Sequence, residues 1–278
     1  IVIGDWSSDV CSSDLMIFLQ HEKGWDNMLT KTRQKEILKL LENRGSVTLQ
    51  ELKDHLNTSE STIRRDLNTL DAQGKLVKVF GGAVAADNMS IRDEQVSRRE
   101  EKNLEEKRLI ARYAASLIQD DDFVYLDAGT TTGCMLDYIS DATTAVFVTN
   151  APSHAQKLAR KGMEVILIGG RLKQSTEAVV GEEACRQIEK FNFSLGFLGS
   201  NGVSERSGFS TPDQDEAMVK KRAIERIHRC FVLCDHTKFY KVSPISFAKL
   251  EDAVVLTDSA PQGNFQEMPN IVEISEDE

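Results

Sequence analysis

No apolar run in this chain approaches the ~20 residues that cross a bilayer, so no membrane-inserted helix is expected. Cysteine is sparse and offers no pairing pattern: there are five, an odd number, widely scattered and without a Cys-x-x-Cys. Cys230 and Cys234 share a face of a predicted strand, but at strand rise they lie ~13 Å apart, too far for a disulfide. They read as reduced, buried small hydrophobes of a cytoplasmic protein. His236 in a nearby turn adds no ligand pattern to them, so neither a metal nor a cofactor is expected. Internal repeats are absent too. A positive surplus is also lacking, because 34 Lys and Arg face 44 Asp and Glu, for a net charge of −10. The rest of the composition is ordinary: 278 residues, 40% hydrophobic and 28% charged, suit a soluble chain with one large domain plus a small one.

The acidic balance is unevenly spread. Residues 28–86 hold ten Lys and Arg against seven Asp and Glu, residues 1–27 one against five, and residues 87–278 have 23 against 32. Affinity for nucleic acid needs a local basic patch, not a basic protein. The one positively balanced stretch is therefore the candidate DNA binder, and the acidic remainder keeps non-specific binding low. Residues 1–27 have no helical or strand period and repeat Ser-Ser-Asp. They look like a translated cloning or sequencing adapter, are placed outside the fold, and leave Met28 as the expected natural start.

Within 28–86, a first helix is predicted from about Thr30 to Glu42, with Ile37, Leu38 and Leu41 inward and a stop near Gly45. Thr48-Leu-Gln-Glu51 is a capping box for a second helix, with Val47 and Leu52 as its hydrophobic staple. Only Asn57 and Thr58 separate that helix from a third, capped by Ser59, whose apolar stripe is Ile63, Leu67 and Leu70. Opposite the stripe project Ser61, Arg65 and Asn68, flanked by Arg64 and Thr69, with only Asp66 and the terminal residues as acids nearby. Guanidinium reads guanine and amide reads adenine in the major groove, so this face is equipped to recognise DNA. Most charged helical faces are merely solvated, and here the neighbouring elements decide. Leu76–Phe80 and Ala83–Ala85 form a predicted hairpin turned by Gly81-Gly82, with Lys78 placed to reach phosphate. Three short helices plus a hairpin make a winged helix-turn-helix. The candidate DNA contacts are Ser59, Ser61, Thr62, Arg64, Arg65 and Asn68 on the helix, and Lys78, Gly81 and Gly82 on the wing.

The spacing Arg33-x3-Ile37-x3-Leu41, then Ser59-x2-Thr62-Ile-Arg-Arg-Asp-Leu67, then Phe80-Gly-Gly-Ala83 resembles the DeoR family of bacterial transcriptional regulators. Lys78 departs from the Arg often found there in the family, keeping the charge but losing the planar fork.

Residues 87–101 are polar and charge-rich and read as a linker; an amphipathic helix is expected from about Lys102 to Ile118. Beyond it the period changes. Short apolar runs at 123–127, 145–149, 164–168, 194–198, 230–234 and 253–257 alternate with helical or loop segments, the mark of a mostly parallel sheet covered on both faces. Ligands of such sheets bind beyond the strands' carboxyl ends. There stand Asp127-Ala-Gly129-Thr130-Thr131-Thr132, opening a helix whose amides and hydroxyls suit a phosphate, or serve only as a cap. The other strand ends bring Thr149-Asn150, Gly170-Arg171, Asn201-Gly202 and Asp235-His-Thr-Lys238. Glu216 and Lys220 are i, i+4 on a helix, where an ordinary surface ion pair is the bland expectation.

Taken together, Asp-x-Gly-Thr-Thr, Thr-Asn, Gly-Gly, Glu-x3-Lys and Asp-x-Thr-Lys look like the effector domain of the same family. The resemblance runs from about Met28 to Asp258 and implies a domain similar to the ribose-5-phosphate isomerase fold. It also implies a phosphosugar pocket lined by Asp127, Gly129, Thr130, Thr131, Glu216, Lys220, Asp235 and Lys238. Gly208-Phe-Ser-Thr-Pro212 and the Asp127-Ala-Gly opening look most like the fructose-operon repressors of the family. The expected chain is an α/β protein: a winged helix-turn-helix over 28–86, a linker, and a phosphosugar-binding and oligomerising domain over 102–278. It would bind double-stranded operator DNA as a homodimer or homotetramer and respond to a sugar phosphate, fructose 1-phosphate foremost. An isomerase-like enzyme using Glu216 as a base, with an appended DNA-binding module, is the alternative; fold similarity alone does not transfer activity. A large domain that only oligomerises is the third reading.

Overall fold

The computed structural model describes residues 30–41, 46–79, 81–85, 95–261, 263 and 265–275. The expected leader 1–27, the start at Met28 and the helix stop at Gly45 lie outside the described residues. The chain divides into two compact units, 1–86 and 87–278.

In the first unit, α1 (residues 30–41), α2 (Leu49–Leu56) and α3 (Glu60–Ala72) close on Ile37, Leu41, Leu52, Ile63, Leu67 and Leu70, all buried. The local signals act as their chemistry dictates. Thr48 caps α2 through a reciprocal capping box with Glu51, and Ser59 accepts the Thr62 amide at the start of α3. Asn57 takes the left-handed conformation (φ 46°) that lets the chain turn between these helices. One finding corrects the predicted outer face. Asp66 is buried, pairs with Arg33 and accepts from the Gln34 amide at 3.2 Å, so it ties α3 to α1 instead of facing DNA.

The wing is a three-stranded antiparallel sheet, not a bare hairpin. β1 (Ser46–Thr48) adds to β3 (Gly82–Ala85), which pairs in turn with β2 (Leu76–Val79). Gly81 turns at φ +81°, and a Cβ on Gly82 would lie 2.1 Å from the Val47 carbonyl oxygen, so only glycine lets β1 approach.

The second unit begins, among the described residues, with α4 (Val96–Glu101), in a stretch the sequence predicts as linker. α5 (Leu104–Ser116) follows, then β4 (Phe123–Leu126), α6 (Thr130–Met135), β5 (Val146–Thr149), α7 (Pro152–Arg160) and β6 (Val165–Leu167). The hairpin β7 (Arg171–Lys173) and β8 (Ala178–Val180) leads to α8 (Glu182–Ile188) and β9 (Phe193–Gly199). β10 (Gly202–Ser204), β11 (Gly208–Thr211), α9 (Gln214–Ile224), β12 (Ile227–Leu233), β13 (Ile245–Ala248), β14 (Val254–Thr257) and β15 (Ile271–Glu273) complete it.

Seven strands form one parallel sheet in the order β15-β14-β12-β9-β4-β5-β6. Alternation along the strands feeds two cores. Tyr125, Val148, Leu198 and Val232 face α8 and α9, while Val124, Leu126, Phe147 and Phe197 face α5, α6 and α7. β10, β11 and β13 form a small antiparallel sheet at one side. The chain reverses its direction of travel across the large sheet between β4 and β9, and such a switch point leaves a crevice at the carboxyl ends.

Candidate functional site

A cavity of about 560 Å³ opens at that crevice. The turn after β4 supplies Ala128 to Thr131, the end of β9 supplies Gly199, Ser200 and Asn201, and the segment after β12 supplies Asp235, Thr237, Lys238 and Lys241. α9 brings Glu216 and Lys220, and Thr176 comes from the β7–β8 turn. α4 supplies Arg99, Lys102 follows at its end, and the start of α5 brings Asn103 and Lys107.

Charge is the distinguishing feature of this lining. Six cationic side chains, Arg99, Lys102, Lys107, Lys220, Lys238 and Lys241, meet two carboxylates, Glu216 and Asp235. Lys220 is buried and pairs with Asp127, which is itself 1% exposed and also accepts the Gly199 amide at 3.0 Å. Burial pushes the Asp127 carboxyl above the usual carboxylate range, against the pull of the Lys220 ammonium. The predicted surface pair is therefore corrected. Glu216 does not meet Lys220; it accepts from Thr176, from Thr211 at 3.3 Å and from Lys173 at 3.3 Å. At Asp235, burial works to raise the carboxyl, but Lys238 and hydrogen bonds from Thr237 and Asn103 (2.9 Å) outweigh it and hold it low. Burial lowers Lys107, whose ammonium donates to the Arg99 carbonyl.

The structure gathers Gly129, Thr130, Thr131, Asn201, Glu216, Lys220, Asp235 and Lys238 around one space, with Asp127 behind Lys220. Other sequence candidates fall outside the lining. Thr132 is fully buried and donates to the carbonyls of Asp127 (2.8 Å) and Gly129 (3.0 Å), so its hydroxyl braces the turn. Thr149 accepts the Ala151 amide at 3.1 Å, and Asn150 ties Ala128 to Val179 through its side-chain amide. Gly170 packs against Val179, Arg171 forms an exposed pair with Asp215, and Gly202 lies against the Lys241 backbone. Sequence reasoning missed Arg99, Lys102, Asn103, Lys107, Thr176, Ser200 and Lys241. One signal was available: Lys107 falls three residues from Leu104 and from Ile110 on the apolar side of α5, where a lysine needs a reason.

On the first unit, Ser61, Arg64, Arg65, Asn68 and Lys78 are all exposed, and the Lys78 ammonium donates to the Asn68 side chain at 2.7 Å, joining wing to helix. Ser59 Oγ lies 3.0 Å from Ser61 Oγ and 2.9 Å from Thr62 Oγ1, which makes those hydroxyls part of the cap. Arg64 is held by Glu60 at 2.6 Å, whereas no described carboxylate pairs with Arg65.

Residues 33–89 match the DeoR-like helix-turn-helix domain, and residues 102–259 match the DeoR C terminal sensor domain. The uncharacterized HTH-type transcriptional regulator FruR of Bacillus subtilis (strain 168) is 40% identical over 86% of this chain and 96% of its own. HTH-type transcriptional regulator GlpR of Haloferax volcanii is 35% identical over 86% of this chain and 94% of its own. A lactose phosphotransferase system repressor of Staphylococcus aureus (strain MRSA252) is 33% identical over 87% and 97%. Among solved structures, the ribose 5-phosphate isomerase A of Methanocaldococcus jannaschii overlaps 50% of this chain and 56% of its own with a TM-score of 0.38 at 14% identity, too slight a likeness to bear on chemistry. The motif spacing, the winged helix and the family matches over both units agree: the chain belongs to the DeoR family of helix-turn-helix transcriptional regulators.

Proposed function

We propose that the protein is a cytoplasmic repressor of a sugar-uptake or catabolic operon, released from its operator by a phosphorylated sugar, with fructose 1-phosphate the first candidate. The observation that carries this reading is the cationic cavity at the switch point, where six cations face two carboxylates. A phosphate dianion suits that excess, while Asn201, Glu216 and Asp235 offer polar partners for sugar hydroxyls. A free sugar would bring no negative charge to that excess. The names of the relatives, a lactose phosphotransferase system repressor among them, support a sugar-linked operon.

In this reading Arg65 and Asn68 meet base edges while Lys78 and the Ser59 cap meet phosphates, with two copies of the chain reading two half-sites. The effector contacts are Gly129, Thr130, Thr131, Asn201, Lys220, Asp235 and Lys238, joined by Arg99, Lys102 and Lys107. Glu216, already engaged by Thr176, Thr211 and Lys173, serves to shape the cavity rather than as a base.

A thermal-shift screen of sugar phosphates tests the proposal, because a ligand at about a hundred times its Kd stabilises the folded chain by about 2.7 kcal/mol. Stabilisation by fructose 1-phosphate but not fructose is expected, together with weakened operator binding. Equal stabilisation by fructose would remove the phosphate assignment, and isomerised product in the same incubations would favour an enzyme.

A further inference from the structure

Arg99 is the one cation of the cavity lining whose buried Nε has no hydrogen-bond partner, and no described carboxylate pairs with it. It lines the 560 Å³ cavity and also a smaller one of about 310 Å³ beside it. An anion in the cavity would supply the Arg99 guanidinium with the charged partner it lacks among the described residues. Arg99 rides on α4, an element only lightly held. None of its residues is buried, its N-cap makes no side-chain hydrogen bond, and its anchors include the Val96 amide on the Ser175 carbonyl (3.2 Å) and Lys107 on the Arg99 carbonyl.

The position of α4 in the chain gives this a consequence. The first unit ends at Ala86 and α4 opens at Val96. We infer that α4 is the effector-responsive clamp of this regulator: an anionic ligand engages Arg99, holds α4 on the second unit, and so sets where the chain leaves that unit toward the DNA-binding unit. With α4 held the chain departs at Val96, and with α4 released it departs near Leu104. At the extended rise of a chain that difference is up to about 25 Å of reach. Ligand therefore acts where the chain leaves the second unit, with no need to touch the winged helix. This inference rests on the phosphosugar reading and names its regulation.

The test is hydrogen–deuterium exchange of the full chain, reading the peptide that covers residues 96–101, with calorimetry on the same samples. The probes are fructose 1-phosphate, glucose 6-phosphate, inorganic phosphate and fructose. A sugar phosphate that binds should slow exchange of this peptide by about tenfold or more at saturation, and fructose should leave it unchanged. Arg99→Gln should lose the slowing and bind the sugar phosphate about tenfold more weakly, at an unchanged melting temperature, and Arg99→Lys should regain part of both. Binding heat without slower exchange at 96–101, or an Arg99→Gln chain that binds and is protected like the parent, would overturn the clamp while leaving the phosphosugar reading intact. No heat from either sugar phosphate would overturn that reading, and the clamp with it.

Discussion

Replacing Lys220 by Met tests how the centre of the cavity is built. Lys220 and Asp127 are 7% and 1% exposed at their side chains, and they lie 93 positions apart in sequence. Lys220 also donates to the Gly199 carbonyl at 3.1 Å, while Asp127 receives the Gly199 amide, so one residue of β9 is bonded to both partners. Lys220→Met keeps most of the volume and removes the charge, leaving a carboxylate in a buried place with one amide donor. Breaking a buried pair from one side costs about 3–5 kcal/mol. The stranded carboxyl meets this by holding its proton, which raises its folded pKa further. A carboxyl raised in the folded state contributes stability below its unfolded value of about 3.9, lost as pH rises through the folded pKa. The variant should therefore lose stability with rising pH more steeply than the parent, by up to about 1.4 kcal/mol per unit. Asp127→Asn combined with Lys220→Met removes both charges and should restore most of the loss. Urea unfolding followed by far-ultraviolet circular dichroism at pH 4.5 and pH 7 reads all three chains. A loss below about 1 kcal/mol, the scale of an exposed pair, with no change between the two pH values, would refute the buried-pair account.

Further outcomes are expected elsewhere. Gly82→Ala drives a Cβ into the Val47 carbonyl oxygen at 2.1 Å, where backbone has to move, and should destabilise the winged helix by about 1–3 kcal/mol as read by its urea midpoint. An unchanged midpoint would dissociate β1 from the wing. His154 is buried on α7 with its Nδ1 unpartnered, and burial holds its pKa at about 4. Because the unfolded chain binds that proton more readily, stability should fall by about 3 kcal/mol between pH 6.5 and pH 4, and His154→Gln should flatten this part of the curve. Arg65→Ala should cost ~1–3 kcal/mol on a selected operator and relax one base position, whereas Lys78→Ala should weaken binding to all sequences and flatten the salt dependence. Electrophoretic mobility titrations across salt separate the two.

Several parts of this protein were legible in one dimension because they depend on near neighbours. The capping box at Thr48 and Glu51, the Ser59 cap and the Ile63, Leu67, Leu70 stripe are set by contacts within a turn or two of helix. The alternation of short apolar runs with helices likewise needs no long-range knowledge, and the parallel sheet follows it. The short strands were not legible: β1 is three residues long, and its Val47 and Thr48 read equally well as a staple and a cap. Nor was α4, whose Ser-Arg-Arg-Glu-Glu stretch reads as solvated chain until a cavity wall stands beside it.

Which cation meets which carboxylate was decided by tertiary structure alone. Glu216 and Lys220 share a helix face at ideal spacing, yet each turns to a partner brought by another segment: Thr176 for one, Asp127 for the other. Asp66 goes inward to Arg33 for the same reason, and Thr132 turns to the backbone behind it. Local spacing, and with it the family's helix-turn-helix and strand pattern, was determined by the sequence by itself, because caps and periods act over a few residues. The charged centre had to await the fold, because a buried ion takes whichever partner can replace its lost water, and that partner can lie anywhere in the chain.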